Sequence, residues 1–151
     1  MTLLSVLGAL HLLGAVFWVG GMAFALLVLR PSLSVLAPAE RLALRGQVFR
    51  RFFRVVWHVM PITLLAGYGM LFLVFGGFAH VNWAVHLMHL LGLVMAAIFL
   101  AMFFGPWTAM RAALASGDSP AATGAADRIR RLLGITLVLG LATVVVAAWG
   151  N

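Results

Sequence analysis

The sequence predicts an all-α membrane protein: a single transmembrane four-helix bundle over residues 1–151, with both termini on the outer, periplasmic side. Three observations carry this. Hydrophobic residues make up 65% of the chain and charged ones 9%. A soluble chain of this length buries only about 70% of its unfolded surface and could not hide so much apolar area. Charge-free stretches recur at Leu3–Leu29, Val55–Thr108 and Leu132–Trp149, each long enough to cross a bilayer. The basic residues are all arginine, and all lie between those stretches or at their edges.

The first helix is expected near 3–29. Ala23-Phe24-Ala25 imitates a signal-peptide cleavage site. No basic segment precedes the apolar run, however, and the run is about twice the usual length of a signal core, so the segment reads as a retained span. Pro31 to Arg50 follows as a loop. Its Pro38-Ala39-Glu40-Arg41-Leu42-Ala43-Leu44-Arg45 is either a short interfacial helix or a plain solvated connector. The long middle stretch breaks at Gly76-Gly77-Phe78-Ala79-His80-Val81-Asn82, which gives helices near 52–77 and 82–110. Pro61 predicts a kink in the first of these, because proline removes an amide and crowds the preceding turn. Ala112 to Asp127, rich in Ala, Gly and Ser, reads as a flexible connector. Asp127 is then the expected N-cap of a last helix near 128–149. No strand alternation competes with this reading.

The arginines orient the bundle. Arg30, Arg41, Arg45, Arg50, Arg51 and Arg54 lie between helices 1 and 2, and Arg111, Arg128, Arg130 and Arg131 between helices 3 and 4. The 2–3 turn and both ends of the chain carry none, so the positive-inside rule places the two arginine-rich loops in the cytoplasm of a bacterial-type inner membrane. The only acids, Glu40, Asp118 and Asp127, are also in loops. Carboxylate proton relays and paired-carboxylate catalysis are thereby disfavoured. Absence of cysteine removes disulfides and thiolate metal sites. The +7 charge is confined to these loops, so it marks membrane orientation and not a nucleic-acid surface.

Chemistry falls to five histidines. His11 sits in an apolar span, where an imidazole without a partner costs several kcal/mol. By rise per residue it lies roughly 12 Å below the outer end of helix 1, with His86 and His89 roughly 6 and 10 Å below the same end of helix 3. These three are expected to share a layer, His86 and His89 on one helix face. His80 belongs to the outer turn. His58 lies near Arg51 and Arg54 at the other end, alone or as part of a second site.

The His11 face continues through Gly14, Trp18 and Gly21. Bare backbone there admits either a close helix or a flat ligand. Histidine is a usual axial ligand of haem iron, which makes His11 and His86 the expected pair for a b-type haem, with His89 in reserve. Trp18, Phe24, Phe72, Phe75, Phe99, Phe103 and Phe104 could wall a porphyrin. Trp57, Trp83, Trp107 and Trp149 sit where interfacial belts put them. The methionines (Met22, Met60, Met70, Met88, Met95, Met102 and Met110) suit cuprous copper chemically but are ordinary packing filler in apolar helices.

Ala9-Leu10-His11 through Trp18-Val19-Gly20-Gly21 and Leu29-Arg30-Pro31 resembles the first helix of the CopD-like membrane family. Arg51-Phe52-Phe53-Arg54 with Gly67-Tyr68, Trp83 to His89, and Arg128-Ile129-Arg130-Arg131-Leu132 resemble its other three. The resemblance implies copper uptake or tolerance. The related HemJ family, similar in its first helix and at Pro61, implies haem b and oxidation of protoporphyrinogen; this chain lacks the lysine that family carries in helix 3. On this resemblance His11 and His86 match the family histidines.

The first expectation is thus a haem b-binding protein that moves electrons, an oxidoreductase at most, exchanging them with quinone or another redox partner. The second is copper transport or tolerance at a His11, His86, His89 and methionine site. The third is an assembly subunit whose histidines only hold helices together. Homo-oligomerisation is left open by the sequence.

Overall fold

The computed structural model describes residues 2–150, and every regular element among them is helical. Four helices are long and apolar enough to cross a membrane: α1 (Leu3–Val35), α2 (Pro38–Val74), α3 (Trp83–Ser116) and α4 (Ser119–Trp149). At 1.5 Å per residue each runs roughly 50 Å, well beyond a hydrocarbon core of about 30 Å. The excess lies at the arginine end, where the sequence predicts loops.

The first predicted loop is almost wholly helical. Pro38 to Arg45 is helix, as one of the two readings held, but it runs on without a break into α2. The turn is closed by side chains. Glu40 Oε2 accepts from the amide of Ala37 (3.2 Å), and Arg41 reaches back to donate to the carbonyls of Leu33 (3.1 Å), Leu36 (3.0 Å) and Ser34 (3.3 Å). These carbonyls lie at the end of α1, where the helix's own amides run out; that of Leu33 also accepts from the Leu36 amide (3.1 Å). Arg41 is therefore a C-cap for α1 as much as a topological charge.

The second predicted loop is not a flexible connector. α3 ends at Gly117, left-handed at φ 74°, in a Schellman arrangement: the Asp118 amide donates to Ala113 O (2.9 Å) and the Gly117 amide to Leu114 O (3.4 Å). Asp118, not Asp127, caps α4, accepting from the amide of Ala121 (3.0 Å) with Pro120 in the first turn. The alanines that resembled a linker are the strongest helix formers available. Asp127 instead bridges helices, 4.0 Å from Arg45 and 3.6 Å from Arg130. Asp118→Ala should cost about 1 kcal/mol, a fall of about 2–4 °C in the melting of the detergent-solubilised protein. An unchanged melting curve would show the cap to be dispensable.

The turn between α2 and α3 does form at the glycine pair, Gly76 and Gly77 both having positive φ (78° and 103°) that side-chain-bearing residues rarely adopt. Asn82 caps α3 through the amides of Ala84 and Val85, and its Nδ2 donates to the carbonyl of Gly150, tying the end of α4 to the start of α3. The α-helical pattern runs through Pro61, whereas wide π turns occur at Phe24–Leu29, Met70–Val74 and Phe103–Trp107. Pro106 sits in the last of these. Thr108 Oγ1 donates to Phe103 O there (3.1 Å), occupying one of the carbonyls the irregular turn leaves open.

Along their apolar spans α1 packs on α2 and on α4, and α3 packs on α4. α2 and α3 are bridged mainly by aromatic side chains: Phe53 touches Phe99, Phe103 and Trp107, and Trp57 stacks near Phe103 at 4.7 Å. Phe53 and Phe99 are fully buried, and Met22, Met60, Met95, Met102 and Met110 are buried with them, which assigns most methionines to packing. The outer surface is apolar; Leu65 and Leu73 are 70% and 71% exposed. That is the arrangement expected where lipid, not water, is the solvent.

Candidate functional site

His11 has its partner inside the bundle. Its Nδ1 lies 2.8 Å from the carbonyl of Thr63 on α2. A carbonyl only accepts, so Nδ1 carries a proton in this bond. The ring rests in the notch left by Gly67, where a Cβ would meet it at 3.1 Å. The polar group that opened the question of function is thus satisfied by helix-to-helix bonding.

The glycine face beside it is filled too. Gly14 is covered by the Thr63 side chain and Gly21 by the ring of Phe52, 3.6 Å from where a Cβ would stand. Trp18 is buried in the core against its neighbours on other helices. The face that suggested room for a flat ligand is the seam between α1 and α2. Of the aromatics that could wall a porphyrin, Trp18 and Phe99 are core, while Phe24, Phe72, Phe75 and Phe104 are exposed to the lipid side.

His86 and His89 are brought together. Phe78, in the turn preceding α3, stacks on His86 (5.6 Å between centroids) and meets His89 edge-on (4.9 Å). Tyr68 of α2 contacts His89 from the other side (5.4 Å). His86 is exposed and His89 half-buried. Neither makes a hydrogen bond among the described residues, so their ring nitrogens are free for a ligand. His80 lies apart, against Gly76. His58, exposed at the arginine end, has Nδ1 2.8 Å from Arg54 O on its own helix.

The structure does not gather the three histidines into one metal-binding group. Among the described residues no group of three or more histidine or acidic side chains is placed to share a metal ion. His11 is turned into the α1–α2 seam, while His86 and His89 lie in the first turns of α3, against Phe78 of the preceding turn. Equal depth, which was legible in the sequence, does not guarantee that two helices turn the same side chains inward. Phe78 and Tyr68, the contacts that join the α3 histidines, carried no periodic signal that singled them out.

A family profile described as copper resistance protein D matches residues 46–150, most of the chain and nearly all of α2 to α4. The chain belongs to the CopD family. No curated protein and no solved structure is similar enough to extend that finding. The CopD match includes His58, His80, His86 and His89 and begins after His11. The family is described by copper, and the histidines inside the matched region that lie together are His86 and His89.

Proposed function

We propose that this CopD-family chain handles copper within the bilayer, taking the ion as cargo at its histidine-bearing end through the imidazoles of His86 and His89. The observation that carries the reading is this pair, three apart on α3, joined over Phe78 and lacking other hydrogen-bond partners, within a region matched by a copper-resistance family. Imidazole suits copper, and thioethers suit the cuprous ion; Met88 is the thioether nearest in sequence to the pair. The arginine asymmetry supports an outward-facing histidine end and an inner membrane location. Copper would then be met on the outer side, in uptake or in tolerance.

The haem reading requires His11 and His86 on one iron. The seam that holds His11 and the exposed position of His86 supply no support for it, and with it go the electron-transfer role and a quinone partner. His11 acts here as a positioning residue that holds α1 on α2.

The test uses the purified full chain in detergent. Titration with cuprous ion against a competing chelator should give saturable, stoichiometric binding, unchanged in His58→Ala and His80→Ala. The oxidised and dithionite-reduced spectra after haem-replete expression should lack Soret and α bands. A reduced b-type spectrum lost in both His11→Ala and His86→Ala would replace the copper reading with the haem one.

A further inference from the structure

A second site lies at the opposite end of the molecule. Residues of α2 and α3 line a cleft of about 480 Å³ there, within the range of small-molecule sites. Its rim carries Arg50, Arg54, Arg111 and His58, and its floor includes Trp57 and Trp107. The Arg111 guanidinium stands 5.6 Å over the Trp107 ring. Arg54 contributes its backbone carbonyl to His58, and its side chain is exposed, as are those of Arg50 and Arg111.

Among the described residues these charges have no counter-ion. Among the described residues the ion pairs are those of Asp127 with Arg45 and Arg130, on the α2–α4 side. No carboxylate reaches the three arginines of the cleft. Like charges gathered at one opening repel one another, and the repulsion is stronger at the low-dielectric edge of a bilayer than in water. An anion placed between them relieves it, and guanidinium forks match the oxygens of a phosphate. The aromatic floor descends from this polar rim toward the hydrocarbon, so one molecule with an anionic head and an apolar tail would satisfy both parts.

We propose that this cleft is a binding site for an anionic phospholipid, its phosphate held by Arg50, Arg54 and Arg111 and its first acyl carbons lying on the exposed indole of Trp57. The site is independent of the copper reading and uses none of its residues. Juxtamembrane arginines attract anionic leaflets in general. Here the clustering of three around one cleft, above buried and half-exposed indoles, makes the interaction local and saturable.

The experiment places the full chain in phosphatidylcholine vesicles and adds phosphatidylglycerol brominated along its acyl chains, following quenching of tryptophan fluorescence. Brominated phosphatidylcholine is the reference. Half-maximal quenching should need about a hundred-fold less of the anionic lipid than of the neutral one, from a factor of about five per basic residue compounded over three arginines. Arg50→Gln/Arg54→Gln/Arg111→Gln should erase the preference, whereas Arg30→Gln/Arg128→Gln/Arg131→Gln, with the same change in charge, should keep it. Equal loss in both triple variants would reduce the effect to general surface attraction and overturn the site. Abolition of the preference by millimolar inorganic phosphate at constant ionic strength would make it a free-phosphate site and overturn the lipid. If the cleft triple variant does not fold, Arg111→Gln alone must weaken the preference, and a wild-type value there overturns the proposal.

Discussion

Gly14→Ala should destabilise the protein by about 3 kcal/mol, lowering its melting temperature in detergent by about 6–12 °C for a chain of this size. A Cβ at Gly14 would overlap the Thr63 hydroxyl and stand 3.0 Å from Thr63 Cβ and 3.5 Å from its Cα. The hydroxyl is already committed, donating to Val59 O at 2.8 Å, and the backbone behind it does not yield. α1 must therefore move off α2, and the His11 bond to Thr63 O goes with it. The control is six residues along the same helix, where nothing stands within 4 Å of a Cβ at Gly20. Gly20→Ala should be neutral or stabilise by about 0.5–1 kcal/mol, from helix propensity alone. Thr63→Ala in the Gly14→Ala background should recover part of the loss, a coupling that a double-mutant cycle reads directly. Equal melting temperatures for the Gly14 and Gly20 variants would show that the α1–α2 seam is not packed as described.

His86→Ala/His89→Ala should weaken cuprous binding by more than about a hundred-fold, or about 2.7 kcal/mol. Losing even the outer partners of metal ligands costs about 10–100-fold, and this double variant removes the ligands themselves. Its fold should survive, because His86 is exposed, His89 is half-buried, and neither bonds to another helix. His11→Ala should behave the opposite way. It breaks the link to Thr63 and lowers stability, yet leaves copper affinity within a few-fold of wild type. The split between stability and affinity distinguishes a ligand from a positioning residue. Copper binding lost as fully in His11→Ala as in the double variant would bring back the three-histidine site of the sequence reading, formed only when the ion draws α1 and α3 together.

Much of the fold was legible because it follows from composition and periodicity. Four spans, the break at Gly76-Gly77 and the absence of membrane carboxylates can all be read from the chain. The boundaries at the arginine end were misread for a physical reason. Arg41, Arg45 and Asp127 look like loop residues by their charge, but helices extending past the hydrocarbon carry charge freely in the interface. Asp118 and Gly117 hold a turn so tight that the alanines on either side belong to the helices and not to a linker. The site was less legible. His86 and His89 as a pair follow from a spacing of three, but Phe78 and Tyr68 meet them only through the turn and the neighbouring helix. The cleft at Arg50, Arg54 and Arg111 was invisible as a unit, since Arg111 lies far along the chain from the other two.

By itself the sequence determined that this is a membrane-spanning four-helix protein with its arginines at one end and His80, His86 and His89 toward the other. Those properties depend on the solvent each segment tolerates, which is a sum over residue types. Tertiary structure decided which helix faces meet. It put Thr63 into the Gly14 groove, bonded His11 to the Thr63 carbonyl across the α1–α2 seam, and set His86 and His89 together over Phe78. Burial at a seam depends on a shape match of tenths of an ångström between two surfaces, and no single helix encodes that alone.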